Sequence, residues 1–173
     1  MKDIITRIKR NVSHDTACIN AVTVIVFAVS CAILGLLFSL GGIDREVYEE
    51  IEQPDFYLPP FFMVMFMMMF YAILGAASGI VFSTPYYRQS GEKWASLALA
   101  ACTLFLCFTW IPLVYTATSF LMGAIVYLLA ILFGAVIFKL FLCINRIAAW
   151  LVVLFMGAAL YMVCYSFILF IIN

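Results

Sequence analysis

The most chemically varied segment of the 173-residue chain is Gly41 to Pro60, GGIDREVYEEIEQPDFYLPP. It holds six of the nine acidic residues, namely Asp44, Glu46, Glu49, Glu50, Glu52 and Asp55. Carboxylates at the water boundary can act as acids, bases or nucleophiles when a histidine or lysine partner lies beside them. The segment contains neither residue type, so we interpret its acids as a solvated face and predict no catalytic residue.

Cysteine and histidine do not form a metal-binding pattern. The six cysteines lie mostly in apolar runs without C-x-x-C spacing, at Cys18, Cys31, Cys102, Cys107, Cys143 and Cys164. In a bilayer such cysteines behave as small apolar residues. The single histidine, His14, has no ligand cluster near it in the sequence. We therefore predict no metal and no disulfide framework.

Composition identifies the elements that must position any site. The chain is 68% hydrophobic and only 10% charged, whereas a soluble domain has roughly a quarter of its residues charged. Its apolar runs are long enough to cross a ~30 Å hydrocarbon core. We predict an integral membrane protein, all-α, with a single domain over 1–173 and no nucleic-acid partner. The expected helices are about 16–40, 60–82, 93–115, 119–143 and 147–172, with a lid loop at 41–59.

The basic residues predict the orientation of these helices. Eight of them fall on one side of the five spans: Lys2, Arg7, Lys9, Arg10, Arg88, Lys93, Lys139 and Arg146. Only Arg45 falls on the other side. The positive-inside rule then predicts a cytoplasmic N-terminus, an external C-terminus and a lid loop on the outer face. We expect the membrane to be the cytoplasmic membrane of a bacterium.

The predicted spans carry almost no charge but many aromatic residues. Ion-coupled carriers need buried carboxylates or broken helices lined with polar groups. The predicted spans show neither feature, so the sequence disfavours that class. The aromatic side chains could line a site for a flat, lipophilic ligand. They could equally face lipid or form the interfacial belt.

Two clusters of small residues and one proline have structural interpretations. Residues 75–79 and 157–159 allow close helix approach, either within the chain or at a dimer interface. Pro112, two residues after Trp110, predicts a kink or a helix end.

Three motifs between Val47 and Asn173 have the residue types and spacing of a known protein family. Near the second helix, the run from Pro54 to Pro59 resembles K-P-x-[FW]-x-P-P, with Gln53 for the lysine and Leu58 for the first proline, and Tyr71 and Gly75 match L-Y-x-x-x-G. In the third helix, WIPLVY resembles W-[ST]-P-L-F-F. In the last helix, AAWL and the terminal run from Tyr165 resemble A-A-x-L and L-N-Y-x-x-W-x-L-N. These motifs resemble those of the TspO/MBR family of five-helix membrane proteins, and the resemblance covers roughly Val47 to Asn173.

The resemblance implies a ligand site beneath the 44–60 part of the lid loop. Its residues would be Phe56, Tyr57, Met67, Tyr71, Thr103, Cys107, Trp110 and Phe155. Several differ from the family pattern. Met67 replaces a tryptophan, Thr103 and Cys107 replace glutamine and asparagine, Leu154-Phe155 replaces Pro-Tyr, and Ser166 replaces an asparagine. We expect these changes to remove hydrogen-bonding anchors. No lysine or arginine follows Tyr161 or Tyr165, so we do not predict sterol binding.

The expected function is a membrane receptor or binding protein for a lipophilic small molecule, which it would sense or transport. The resemblance implies a porphyrin or other tetrapyrrole as ligand, a homodimer, and contact with membrane lipid; no other cofactor is expected. The alternative is a membrane scaffold or accessory subunit that binds partner helices. A third hypothesis is an enzyme that acts on the bound ligand.

Overall fold

The computed structural model describes residues 20–42, 50–54, 58–85 and 90–173. Within these ranges the fold is all-helical. The helices are α1 (Ala21–Gly42), α2 (Pro60–Ser83), α3 (Ser90–Phe108), α4 (Trp110–Tyr115), α5 (Phe120–Ile144) and α6 (Arg146–Ile172). Among the described residues, five spans are long and apolar enough to cross a membrane, with α3 and α4 together forming the third. The predicted all-α, five-span membrane fold is confirmed.

Some of the predicted features lie outside the described residues. These are residues 43–49 and 55–57 of the lid loop, including Phe56 and Tyr57, then Arg88, and every residue before residue 20, including the first four basic residues, His14 and Cys18. Several helix bounds differ from those expected, most by one residue and those of α1 and α3 by more. α1 continues through Gly41 and Gly42, which were assigned to the lid loop, and α3 begins at Ser90 rather than at residue 93.

α1 packs mainly on α2, and close approach between the two depends on glycine. A Cβ atom on Gly75 would lie 2.7 Å from the carbonyl oxygen of Phe27 in α1. A Cβ atom on Gly35 would overlap the Tyr71 ring. The small-residue cluster at 75–79 therefore serves packing within the chain at Gly75.

The third span is interrupted at Thr109, between α3 and α4. Pro112 has no N–H, so it cannot donate to the carbonyl of Phe108 in the way a regular helix requires. The Thr109 amide instead bonds the carbonyl of Leu106 at 3.2 Å, and the Thr109 hydroxyl bonds the same oxygen at 2.7 Å. The kink or helix end expected near Trp110 is thus present as the end of α3 at Phe108.

α5 and α6 form a hairpin whose connection is the single residue Asn145. Its Oδ1 accepts hydrogen bonds from the amides of Ile147 and Ala148, which caps the start of α6. Its Nδ2 donates to Thr84 Oγ1 at the end of α2, at 3.4 Å. Lys93 Nζ in α3 donates to the carbonyl of Thr84 at 2.8 Å. This end of the bundle is therefore joined across α2, α3 and the hairpin.

Candidate ligand-binding site

Two tyrosines from different spans meet in the bundle interior. The hydroxyls of Tyr71 in α2 and Tyr127 in α5 are 3.4 Å apart, and Tyr71 also donates to the carbonyl oxygen of Cys107 at 3.3 Å. All three residues are buried. A buried hydroxyl needs such partners because leaving it unpaired in an apolar medium is costly. This pair links α2, α3 and α5.

Trp110 is the largest fully buried side chain described, and it is the first residue after the break in the third span. Its Nε1–H donates to Ser166 Oγ in α6 at 2.7 Å. The indole lies against Gly123 of α5, where a Cβ atom would be 3.0 Å from Nε1. The Trp110 and Tyr127 ring centroids are 5.8 Å apart, which connects Trp110 to the tyrosine pair.

Phe155 joins the same cluster from α6. Its ring stacks on Phe70 with centroids 4.5 Å apart and an interplanar angle of 2°. Phe70 also contacts Tyr71 and Tyr127, at centroid distances of 5.2 and 6.0 Å. We call the rings of Phe70, Tyr71, Trp110, Tyr127 and Phe155 the aromatic cluster.

A second polar group lies at the end of the cluster nearest the 50–54 segment. Tyr115 and Tyr165 have hydroxyls 3.1 Å apart, and Tyr165 donates to Gln53 Oε1 at 2.7 Å. The Tyr165 ring also lies 6.1 Å from that of Trp110. The Gln53 Nε2 atom is buried and has no hydrogen-bond partner. Its two N–H groups are therefore available to an acceptor.

The 50–54 segment is attached to the end of α6 by the last residue of the chain. Asn173 Oδ1 accepts from the Glu52 amide at 2.9 Å, and Asn173 Nδ2 donates to the Glu52 carbonyl at 3.0 Å. Ile51 and Pro54 are buried beside these contacts. α6 thus contributes Phe155 to the aromatic cluster and also contacts the 50–54 segment.

The residues of the described site are uncharged, so its chemistry is that of hydroxyl, amide, indole and ring groups. Among the residues that the structure describes, no group of three His, Cys, Asp or Glu side chains could hold a metal ion. Such a site can stack on a flat ligand and donate a few hydrogen bonds to it.

The structure brings together four of the residues expected from the sequence: Tyr71, Cys107, Trp110 and Phe155. Met67 and Thr103 are also fully buried, on α2 and α3. The Thr103 hydroxyl bonds the Leu99 carbonyl of its own helix at 2.8 Å, so it is not directed to the cluster as a donor. Phe56 and Tyr57 lie outside the described ranges.

Tyr127 was absent from the expected site, and Gln53 entered only as a departure from a motif. Tyr127 is the one tyrosine in the fourth span, and a hydroxyl within hydrocarbon requires a partner, which is the signal that could have identified it. The Ser166 hydroxyl accepts the indole N–H of Trp110, a contact within the protein that the sequence analysis did not predict.

The sequence profile of the TspO/MBR family matches residues 22–171, nearly the whole chain. No curated protein matches the chain significantly.

Proposed function

The chain belongs to the TspO/MBR family, and from that premise we propose that it binds a porphyrin or another tetrapyrrole between its helices, for sensing or transport. The site would be the aromatic cluster together with the polar group of Tyr115, Tyr165 and Gln53. By resemblance to the family, Phe56 and Tyr57 would also contact the ligand.

The observation that carries the proposal is the buried Gln53 amide beside the aromatic cluster. Buried polar groups are nearly always paired, because an unsatisfied donor costs about 1–3 kcal/mol. Gln53 Nε2 has no partner, although its Oε1 is bonded to Tyr165. A ligand that places an acceptor there would remove this cost.

The chemistry of a tetrapyrrole suits this arrangement. Its flat conjugated ring can stack on Trp110, Tyr165 and their neighbours, since offset aromatic pairs contribute about 0.5–1.5 kcal/mol beyond burial. Its carboxylate or carbonyl groups can accept from Gln53, and hydrogen bonds to charged groups contribute about 1.5–3 kcal/mol.

The described rings touch one another, so a ligand must displace some of them on entry. Hydrogen bonds join the 50–54 segment to α6 beside the cluster. They connect Gln53 to Tyr165 and Glu52 to Asn173. Opening these links is the step that we propose admits the ligand.

Tryptophan fluorescence tests the proposal directly. The chain has three tryptophans, and a Trp94→Phe, Trp150→Phe variant leaves Trp110 as the only tryptophan, which excitation at 295 nm selects over tyrosine. We expect saturable quenching of Trp110 by a porphyrin dicarboxylate added to the protein in detergent. Gln53→Leu should lower the affinity for this ligand about tenfold, because it removes one hydrogen bond to a charged group.

An alkyl porphyrin without carboxylates is the matched control, because Gln53→Leu should leave its affinity unchanged. The proposal fails if no tetrapyrrole quenches Trp110 saturably and alanine at both Phe56 and Tyr57 alters no ligand affinity.

A scaffold or accessory subunit is the second candidate, favoured by the tight packing of the interior. Tyr71, Trp110 and Phe155 are at most 1% exposed, as expected of a core that only supports outward-facing surfaces. Recovery of a stoichiometric protein partner, without tetrapyrrole binding, would favour this function.

The orientation and assembly remain parts of the proposal. We infer a homodimer from the family, and a cytoplasmic N-terminus in a bacterial membrane from the basic residues. Lys93 and Arg146 lie near the joined end of the bundle and so fit the cytoplasmic side. Membrane-impermeant labelling of a cysteine added beyond Asn173 should occur in intact cells.

A further inference from the structure

A groove of about 530 Å³ lies on the membrane-facing side of the bundle, between α5 and α6. It runs from Lys139 and Val153 at one end to Ile131 and Leu160 at the other. The two ends are eight residues apart along α5, or ~12 Å at the rise of a helix. This length is close to half of a ~30 Å hydrocarbon core, the depth of one leaflet.

The groove exists because α6 has no side chain at Gly157. A Cβ atom on Gly157 would meet no atom within 4 Å, so the backbone of α6 is open there. At Gly134 of α5 the situation is the opposite, because a Cβ atom would lie 2.9 Å from Met156 Cγ. Met156 thus fills the space over Gly134 and forms the floor, while Gly157 leaves a channel beside it.

Charge distinguishes this groove from an ordinary lipid-facing surface. Its lining is apolar apart from Lys139, which is exposed at one end. Neither α5 nor α6 contains an acidic residue, so the helices that form the groove offer the ammonium no counter-ion. A lysine near a helix end extends its head group toward the lipid phosphates.

We propose that the groove binds an anionic phospholipid. One acyl chain would lie along α5 and α6 past Gly157 toward Leu160, and the phosphate would pair with Lys139 Nζ. The apolar length suits a chain within one leaflet, and the single cation at the head-group end complements a negative lipid. This site is separate from the aromatic cluster, so it does not depend on the proposed tetrapyrrole binding.

Native mass spectrometry of the full chain, released from detergent, tests the site with two lipids of identical acyl chains. We expect phosphatidylglycerol to be retained about fivefold more than phosphatidylcholine, the effect of one basic side chain on an anionic lipid. Lys139→Met should abolish this preference, and Lys139→Arg should keep it. Gly157→Leu, which fills the channel, should lower retention of both lipids about fivefold or more.

Two matched variants control for general effects on the surface. Ala101→Leu adds similar bulk at an exposed residue of α3, and Arg146→Met removes a different exposed cation. Both should bind lipid as the parent does. Near-ultraviolet circular dichroism should be unchanged in every variant, which shows that the bundle is intact.

Several results would overturn the proposal. Equal retention of the two lipids by the parent chain would show that lipid charge does not affect binding. An unchanged preference in Lys139→Met would show that Lys139 does not bind the phosphate. Loss of preference in Arg146→Met, or equal loss of binding in Ala101→Leu, would remove the groove as the site. A dimer that Gly157→Leu dissociates, without any lipid effect, would make a second copy of the chain the occupant.

Discussion

Trp110 and Ser166 form a side-chain hydrogen bond of 2.7 Å between residues 56 positions apart in the chain. The bond joins α4 to α6 in a fully buried environment, where the indole N–H has no access to water. It also fixes the plane of the largest ring in the aromatic cluster. The orientation of Trp110 is thus set by a hydroxyl on another span.

Removal of the Ser166 hydroxyl should destabilise the bundle. Ser166→Ala leaves the buried indole N–H unpaired, which costs about 1–3 kcal/mol. We expect a lower unfolding free energy in a denaturant titration in detergent. In a Trp110→Phe background the same substitution should cost much less, because the donor is already gone. Equal losses in the two backgrounds would show that the bond contributes nothing to stability.

Tyr165→Phe should loosen the 50–54 segment without emptying the core. The substitution keeps the ring beside Trp110 and deletes the hydroxyl that donates to Gln53 and also contacts the Tyr115 hydroxyl. One neutral hydrogen bond contributes about 0.5–1.5 kcal/mol, so a bound porphyrin should dissociate about fivefold faster. Stopped-flow recovery of Trp110 fluorescence measures this rate.

Ser83→Ala is a suitable control for Tyr165→Phe. Its hydroxyl bonds only the Ile80 carbonyl of the same helix. An equal acceleration in this control would mean that the effect does not arise from the 50–54 segment.

A matched pair of glycines should respond to alanine in opposite directions. Gly75→Ala places a Cβ atom 2.7 Å from the Phe27 carbonyl oxygen, and overpacking of this kind costs about 1–3 kcal/mol. Gly157→Ala meets open space and should stabilise α6 by about 0.5–1 kcal/mol through its helix preference. Thermal unfolding should therefore shift downward for Gly75→Ala and upward for Gly157→Ala. An unchanged or higher melting temperature for Gly75→Ala would contradict the α1–α2 packing.

Thr118→Gly should stabilise the turn between α4 and α5. Thr118 has φ of 49°, in the left-handed region, which costs an L-residue roughly 1–2 kcal/mol. Glycine removes this cost, although it loses more entropy on folding, so we expect a net gain of up to about 1 kcal/mol. Ala117→Gly is the control and should lower stability, because residue 117 does not have a positive φ. A lower melting temperature for Thr118→Gly would show that the backbone of Thr118 is not strained.

The sequence predicts which residues span the membrane. It does not predict which face of each helix points into the bundle. Hydropathy predicts the five spans, and Pro112 predicts the break in the third. The faces of these helices are not predictable in the same way, since apolar residues occur all round each of them. The Tyr71–Tyr127 pair and the Tyr165–Gln53 bond depend on that rotation. They bring together residues 56 and 112 positions apart.

Ser166 illustrates a different limit of sequence reasoning. The sequence did not predict that the Ser166 hydroxyl would bond Trp110, because that contact depends on the distance between two helices. α4 lies close enough to α6 for the short hydroxyl to reach the indole. Such sub-ångström spacing follows from the packing of many side chains and cannot be read from one position.

The one-residue connection at Asn145 has a consequence for biogenesis. α5 ends at Ile144 and α6 begins at Arg146, so no polar loop separates the last two spans during synthesis. Synthesis of α6 therefore begins as soon as α5 has been made. We therefore expect the two spans to leave the translocon together as a helical hairpin, and a stop codon after Asn145 to yield an unstable product.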